Sequence, residues 1–323
     1  MNEQVSRRAP LCPGFERFIA EADEANVGRT AAKLLDEQRA TYASFSQRFR
    51  RPRPEGLAVE DAVLASLPQE VPVRIYRPAS LEPGWLAPCI LYMHGGGWVL
   101  GSVDTHDCIT AEIAEITGAI VFSVDYLLAP EYPFPAGFDQ CRAALAMLWR
   151  QGAAFGIDAS RIAVAGDSAG ANLAAAVALS ARDGGGPALV AQALIYPVLG
   201  TNTDLASYRQ NAMAPLLKTE EMVVYWSHYL GGKPVTDSPY AAPLLAADLD
   251  GLPSSLIWTA GHDPVRDDGA VYARRLREAG VPVIYRCAPD LAHGYLRARA
   301  MSASAAAEFE TLCRELRNLL RKA

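Results

Sequence analysis

Apolar positions change rhythm several times along the chain, and each change marks a different kind of element. Phe15, Phe18 and Ile19 recur at i, i+3 and i+4, and Leu34, Leu35, Gln38, Tyr42 and Phe45 trace a second stripe, so residues 1–50 read as two helices. Arg51-Pro52-Arg53-Pro54 then breaks the chain like a linker. From Leu57 to Pro78 short alternating runs, such as Val71 to Tyr76, predict antiparallel strands. After Trp85 buried strands at 89–93, 120–124, 162–165 and 193–196 alternate with helices at 105–117, 138–150 and 168–181. That alternation stops between Gly200 and Ala247, where 219–229 reads as helical. It resumes with a strand at 255–259, a helix at 267–279, a strand at 283–286 and a closing helix at 303–320.

Strands alternating with helices at this spacing predict an α/β fold with a mostly parallel central sheet flanked by helices. The two interruptions divide the chain into a helical segment at 1–54, a core at 55–199 and 248–323, and a helical insertion at 200–247. Insertions after the C-terminal ends of strands are where ligand-covering elements sit in such sheets.

Composition narrows the partners more than the fold. The chain has 323 residues, half of them apolar and a fifth charged, and a net charge of −6, which argues against nucleic acid. Arg7-Arg8 is followed by a broken, charged stretch at 12–17, so an export signal is not expected. The uncharged run Pro83–Val103 contains His94 and three consecutive glycines, so no membrane insertion is expected either. The six cysteines lack C-x-x-C or metal-ligand spacing and suit reduced thiols in a cytoplasmic protein. A homodimer is the assembly left open.

The chemistry gathers around Gly166-Asp167-Ser168-Ala169-Gly170. An apolar run precedes it and fourteen uncharged residues, Ser168–Ala181, follow it. A Gly-x-Ser-x-Gly turn between strand and helix pushes the serine hydroxyl out of the sheet, and its glycines remove Cβ atoms that would collide with neighbouring backbone. A serine nucleophile needs a base and an acid to orient it. Of the five histidines, His293 is the best placed, in a loop after the last strand. His94, His106, His228 and His262 fit less well. Asp263 follows the strand at 255–259 and shares its sheet edge with Ser168, whereas Asp267 and Asp268 suit capping of the next helix. Three glycines after the strand at 89–93 allow backbone N–H groups to approach a ligand closely, and the N–H of Ala169 would complete that set.

These pieces together resemble the hormone-sensitive-lipase family of α/β-hydrolases, in its G-D-S-A-G subgroup. The matching residues are His94 to Gly97, Asp125-Tyr126, Leu128 to Glu131, Phe134 to Ala136, Gly166 to Gly170, Asp263-Pro264, Asp267 to Gly269, and His293-Gly294. The resemblance implies the α/β-hydrolase fold and a serine carboxylester hydrolase acting on short- to medium-chain esters, a small-molecule substrate, without cofactor or metal. It implies Ser168 as nucleophile, Asp263 as orienting acid, His293 as base, and Gly96, Gly97 and Ala169 as oxyanion donors. It also implies a lid built from the N-terminal segment and the insertion. Trp98, Tyr196, Leu217 and Val223 are candidates for lining the pocket, and each suits ordinary core equally. Leu127 stands where the family usually has arginine, and Ala212 to Leu217 departs from the usual family sequence. Amidase, lactonase or dehydratase chemistry could use the same site. A non-catalytic receptor on this fold would be expected to have lost residues of the triad, and all three are present.

Overall fold

The central strands are uninterrupted apolar runs because helices cover them on both sides. In β3 (Ala87–Met93) Leu91 feeds one core while Ile90 and Tyr92 feed the other. The computed structural model describes residues 9–24, 34–66, 69–82, 84–233 and 236–322. Arg7-Arg8 and parts of the 1–54 segment lie outside them.

The sheet has eight strands: β1 (Ala58–Ser66), β2 (Gln69–Arg77), β3, β4 (Ile120–Val124), β5 (Ile157–Asp167), β6 (Ala191–Ile195), β7 (Ser254–His262) and β8 (Val283–Ala292), in the spatial order β1-β2-β4-β3-β5-β6-β7-β8. Only the β1–β2 and β2–β4 pairings are antiparallel; β4 through β8 run parallel. On β2 the alternation is one-sided, with Val71, Val73 and Ile75 buried and Pro72 exposed between them. The expected α/β architecture is therefore present.

Helices α4 (Ala136–Gln151), α5 (Ala169–Asp183) and α8 (Arg266–Glu278) share a core with one face of the sheet. Helices α3 (Asp107–Thr117) and α9 (Ala303–Lys322) cover the other face, together with the N-terminal helix α1 (Pro13–Glu24). Phe15 and Phe18 of α1 meet Phe45 of α2 (Leu35–Arg48) and Phe49 in an aromatic cluster, with Phe18 4.8 Å from Phe49. Behind α2 the linker is tied down by charge. Arg50 and Arg53 reach the fully buried Asp107 at 2.6 and 2.7 Å, and Arg74 joins them at 3.3 Å. Between β6 and β7 lie the short α6 (Ala206–Gln210) and α7 (Thr219–Tyr229).

Two details differ from the sequence expectation. β8 runs on to Ala292, so His293 directly follows a strand and does not sit within a longer loop. Asp267 and Asp268 lie in the first turn of α8 but bond to other elements. Asp267 accepts from Ser207 N at 2.9 Å, and Asp268 accepts from Leu199 N and Gly200 N at 2.8 and 3.1 Å. The backbone leaving β6 offers donors in need of an acceptor, and these outcompete capping. Among the described residues no helix is long and apolar enough to cross a membrane. All six cysteines are free thiols.

Candidate active site

Ser168 occupies the turn between β5 and α5 with φ 55° and ψ −119°, a conformation that a non-glycine residue holds only when its surroundings impose it. The flanking glycines explain how. A Cβ on Gly170 would fall onto the carbonyl oxygen of Met93, and one on Gly166 onto the backbone of Gly170. The Ser168 N–H is anchored to Ile195 O at 2.8 Å, at the end of β6. Its hydroxyl is thus fixed above the sheet edge at the N-terminus of α5.

The partners come from the neighbouring strand ends. β7 and β8 pair in step as far as Ala260 opposite Ala288; a register shift there then brings His262 opposite Ala292, so the next residue of each strand, Asp263 and His293, arrive side by side. His293 Nδ1 lies 2.8 Å from Asp263 Oδ2, and His293 Nε2 lies 2.8 Å from Ser168 Oγ. A carboxylate only accepts, so Nδ1 carries the proton and Nε2 is left to accept from the serine. Asp263 is fully buried, and its other oxygen accepts from Val265 N at 3.0 Å. Its carbonyl is held by Asn211 Nδ2 at 2.8 Å.

The glycine loop is braced from below by Asp167, which the sequence reading did not single out. Asp167 Oδ1 accepts from Gly95 N at 2.9 Å and from the Tyr92 hydroxyl at 2.7 Å, and Oδ2 accepts from the Tyr196 hydroxyl at 3.2 Å. Burial alone would raise the pKa of this carboxyl. His106, the Tyr92 hydroxyl and Arg297 outweigh it and hold Asp167 well below the usual carboxylate range. Because Gly95 N is committed to Asp167, the loop's remaining donors are those of Gly96 and Gly97. Both line the same cavity as Ser168, and Ala169 N is among the first N–H groups of α5, which have no intrahelical acceptor. His94 stacks on Tyr126 at 4.3 Å, and burial together with neighbouring His106 lowers its pKa to about 3, so it is neutral.

Over Ser168 and His293 opens a cavity of about 1000 Å³, counted out to its mouth. Its walls come from α1 (Phe18), from α2 (Tyr42, Phe45), from Leu216 and Leu217, and from α7 (Met222, Tyr225). Of the residues proposed from sequence for the pocket, Tyr196 and Leu217 are on its wall, and the Tyr196 ring sits 4.7 Å from that of His293. Trp98 and Val223 are not. Trp98 is buried, stacks on Tyr229 at 4.3 Å and meets Trp226 at a tilt at 4.5 Å, so it packs into the core beneath α7. Val223 is 54% exposed on the surface of α7. Leu127 carries no charge, and Glu131 pairs with Arg39 of α2 at 2.6 Å.

Residues 90–297 match the family model of the alpha/beta hydrolase fold. The chain is 46% identical over 230 residues to the carboxylesterase NlhH of Mycobacterium tuberculosis, covering 70% of this chain and 72% of that one. It is 33% identical over 282 residues to an ethyl acetate hydrolase of Pseudomonas putida, covering 84% and 88%. A thermostable esterase from Pseudomonas putida superimposes with a TM-score of 0.89 at 31% identity, covering 98% of this chain and 99% of that one.

Proposed function

The chain belongs to the hormone-sensitive-lipase-like family of α/β-hydrolases and is a carboxylesterase, and on that premise we propose that Ser168, His293 and Asp263 carry the reaction through an acyl-enzyme. The observation behind this is one unbroken relay, 2.8 Å from Ser168 Oγ to His293 Nε2 and 2.8 Å from His293 Nδ1 to Asp263, opening into the cavity.

Ser168 Oγ attacks the ester carbonyl while His293 Nε2 takes its proton. Asp263 holds the ring by its Nδ1–H and stabilises the imidazolium. The N–H groups of Gly96, Gly97 and Ala169 receive the oxyanion, where a single preorganised donor is worth about 10²–10³ in kcat. His293 then gives its proton to the leaving alcohol. In the second half-reaction it takes a proton from water as the water oxygen attacks the acyl carbon, and returns that proton to Ser168 Oγ as the C–Oγ bond breaks and the acid leaves. No cofactor or metal takes part in this sequence.

The described residues of segments 1–54 and 200–247 form the lid, a reading supported by the walls that α1, α2 and α7 contribute to the cavity. The acyl groups the enzyme takes are short to medium in chain length, a reading supported by a relative named for ethyl acetate hydrolysis. Six free thiols fit a reducing, cytoplasmic setting.

The test is hydrolysis of nitrophenyl acetate, butyrate, octanoate and palmitate by the wild type and by Ser168→Ala. The expected loss on substitution is more than about 10⁴-fold in kcat, with palmitate the poorest ester for the wild type. A variant that keeps most of its rate removes Ser168 from the mechanism, and a preference for palmitate removes the chain-length reading.

A further inference from the structure

Arginines that bond within this structure mostly answer a carboxylate: Arg39 with Glu131, Arg53 with Asp107, Arg74 with Asp61, Arg299 with Glu112. Arg297 does not. It stands four residues after His293 on the wall of the substrate cavity, and among the described residues it forms no ion pair with an Asp or Glu. Its Nη1 donates to Thr105 O at 2.7 Å. Its Nη2 donates to the Tyr42 hydroxyl at 2.8 Å and lies 3.2 Å from His106 Nε2. A guanidinium has five N–H groups, so these contacts leave donors over. The Tyr42 hydroxyl, having accepted from Arg297, keeps its own proton to give. Asp167 acts on Arg297 only from beyond His106, whose Nε2 lies 3.4 Å from Asp167 Oδ1. A half-buried cation with spare donors, on the wall of the cavity that holds Ser168, is stabilised by an anion brought to it.

We propose that Arg297, with Tyr42, forms a carboxylate-binding subsite in this cavity, so that the esters it takes best are half-esters of dicarboxylic acids. The inference rests on the esterase reading above. The competing role, a latch tying α2 to the loop before α3, predicts no discrimination by substrate charge.

Ethyl half-esters of C4 to C8 dicarboxylic acids are compared with ethyl esters of the corresponding neutral monocarboxylic acids, following acid release. At one chain length at least, wild-type kcat/KM for the half-ester is expected to exceed that of its neutral partner by about tenfold. In Arg297→Met that ratio is expected to fall by about tenfold to a hundredfold, the range for a hydrogen bond to a charged group, and Arg297→Lys is expected to restore part of it. A neutral preference at every length, or a ratio unchanged in Arg297→Met, overturns the proposal. Calorimetric binding of adipate against adipamide to the wild type needs neither turnover nor a folded variant. Tighter adipate binding supports the subsite even if no ester is hydrolysed, which would sink the esterase reading alone, and equal binding rejects the subsite.

Discussion

Asp167 is the residue whose removal best tests how the glycine loop is held. Asp167→Ala would leave the Tyr92 hydroxyl and Gly95 N–H, bonded at 2.7 and 2.9 Å, without that acceptor at the buried foot of the cavity. At about 1–3 kcal/mol for each stranded donor, the cost is about 2–6 kcal/mol, before the longer 3.2 Å bond to Tyr196 is counted. The loop can escape part of that cost only by moving Gly95, and Gly96 and Gly97 move with it. Loss of one oxyanion donor costs about 10²–10³ in kcat, so Asp167→Ala should fall by at least that factor on nitrophenyl acetate. Asp167→Asn keeps a carbonyl oxygen for Tyr92 and Gly95 and lets the Tyr196 hydroxyl turn to accept. It loses only the charge that makes such bonds roughly twice as strong, so a loss of about 1–2 kcal/mol and a milder fall in kcat are expected. Urea denaturation and steady-state kinetics on both variants separate the two effects. If Asp167→Ala unfolds earlier yet keeps kcat within about threefold, the loop does not depend on this carboxylate and the reasoning fails.

Two further substitutions probe neighbouring features. At Gly97 (φ 62°) a Cβ would come within 2.5 Å of the Tyr225 ring, so Gly97→Ala must displace either the loop or α7. A fall in kcat of about tenfold or more is expected, partly recovered by adding Tyr225→Ala; unchanged kinetics would show that loop and helix adjust freely. Asp268 is buried, and its burial outweighs the bonds from Leu199 N and Gly200 N and raises its pKa to about 8. An unfolded Asp ionises near 3.9, so between about pH 4 and 8 the unfolded state releases a proton that the folded state keeps, and stability falls as pH rises through that window. Asp268→Asn imitates the protonated carboxyl, whose Oδ1 has no partner in the structure. Its advantage over the wild type in denaturation midpoint should therefore grow from pH 5 to pH 8, and identical slopes for the two proteins would refute the raised pKa.

What could be read from sequence was what local backbone geometry decides. Gly-x-Ser-x-Gly is legible because the collisions that its glycines avoid, with Met93 and with the turn itself, recur wherever a strand turns sharply into a helix. Asp263 and His293 are legible because each follows an apolar strand, and parallel neighbours bring their ends together. Of the cavity wall only Tyr196 and Leu217 were legible. Phe18, Tyr42 and Tyr225 belong to three helices up to two hundred residues apart, and each shows only an ordinary amphipathic stripe. Asp167 was visible only as a letter of the motif. Its importance comes from Tyr92, Gly95 and Tyr196, contributed by two other strand ends. Arg297 follows His293 within a 3₁₀ segment, Tyr295–Ala300, where spacing does not announce which side chains face inward.

The placement of Trp98 carries the most consequence. A candidate for the pocket wall and equally for ordinary core, it lies off the cavity and stacks on Tyr229, while its neighbour Gly97 lies under Tyr225 of the same helix. Helix α7 also supplies Met222 and Tyr225 to the cavity wall. The loop proposed to offer the oxyanion donors and the helix that walls the cavity are therefore packed together as one unit. A change that widens the cavity at α7 acts on the loop through Trp98 and Gly97, so acyl-group preference and turnover should shift together when α7 is altered.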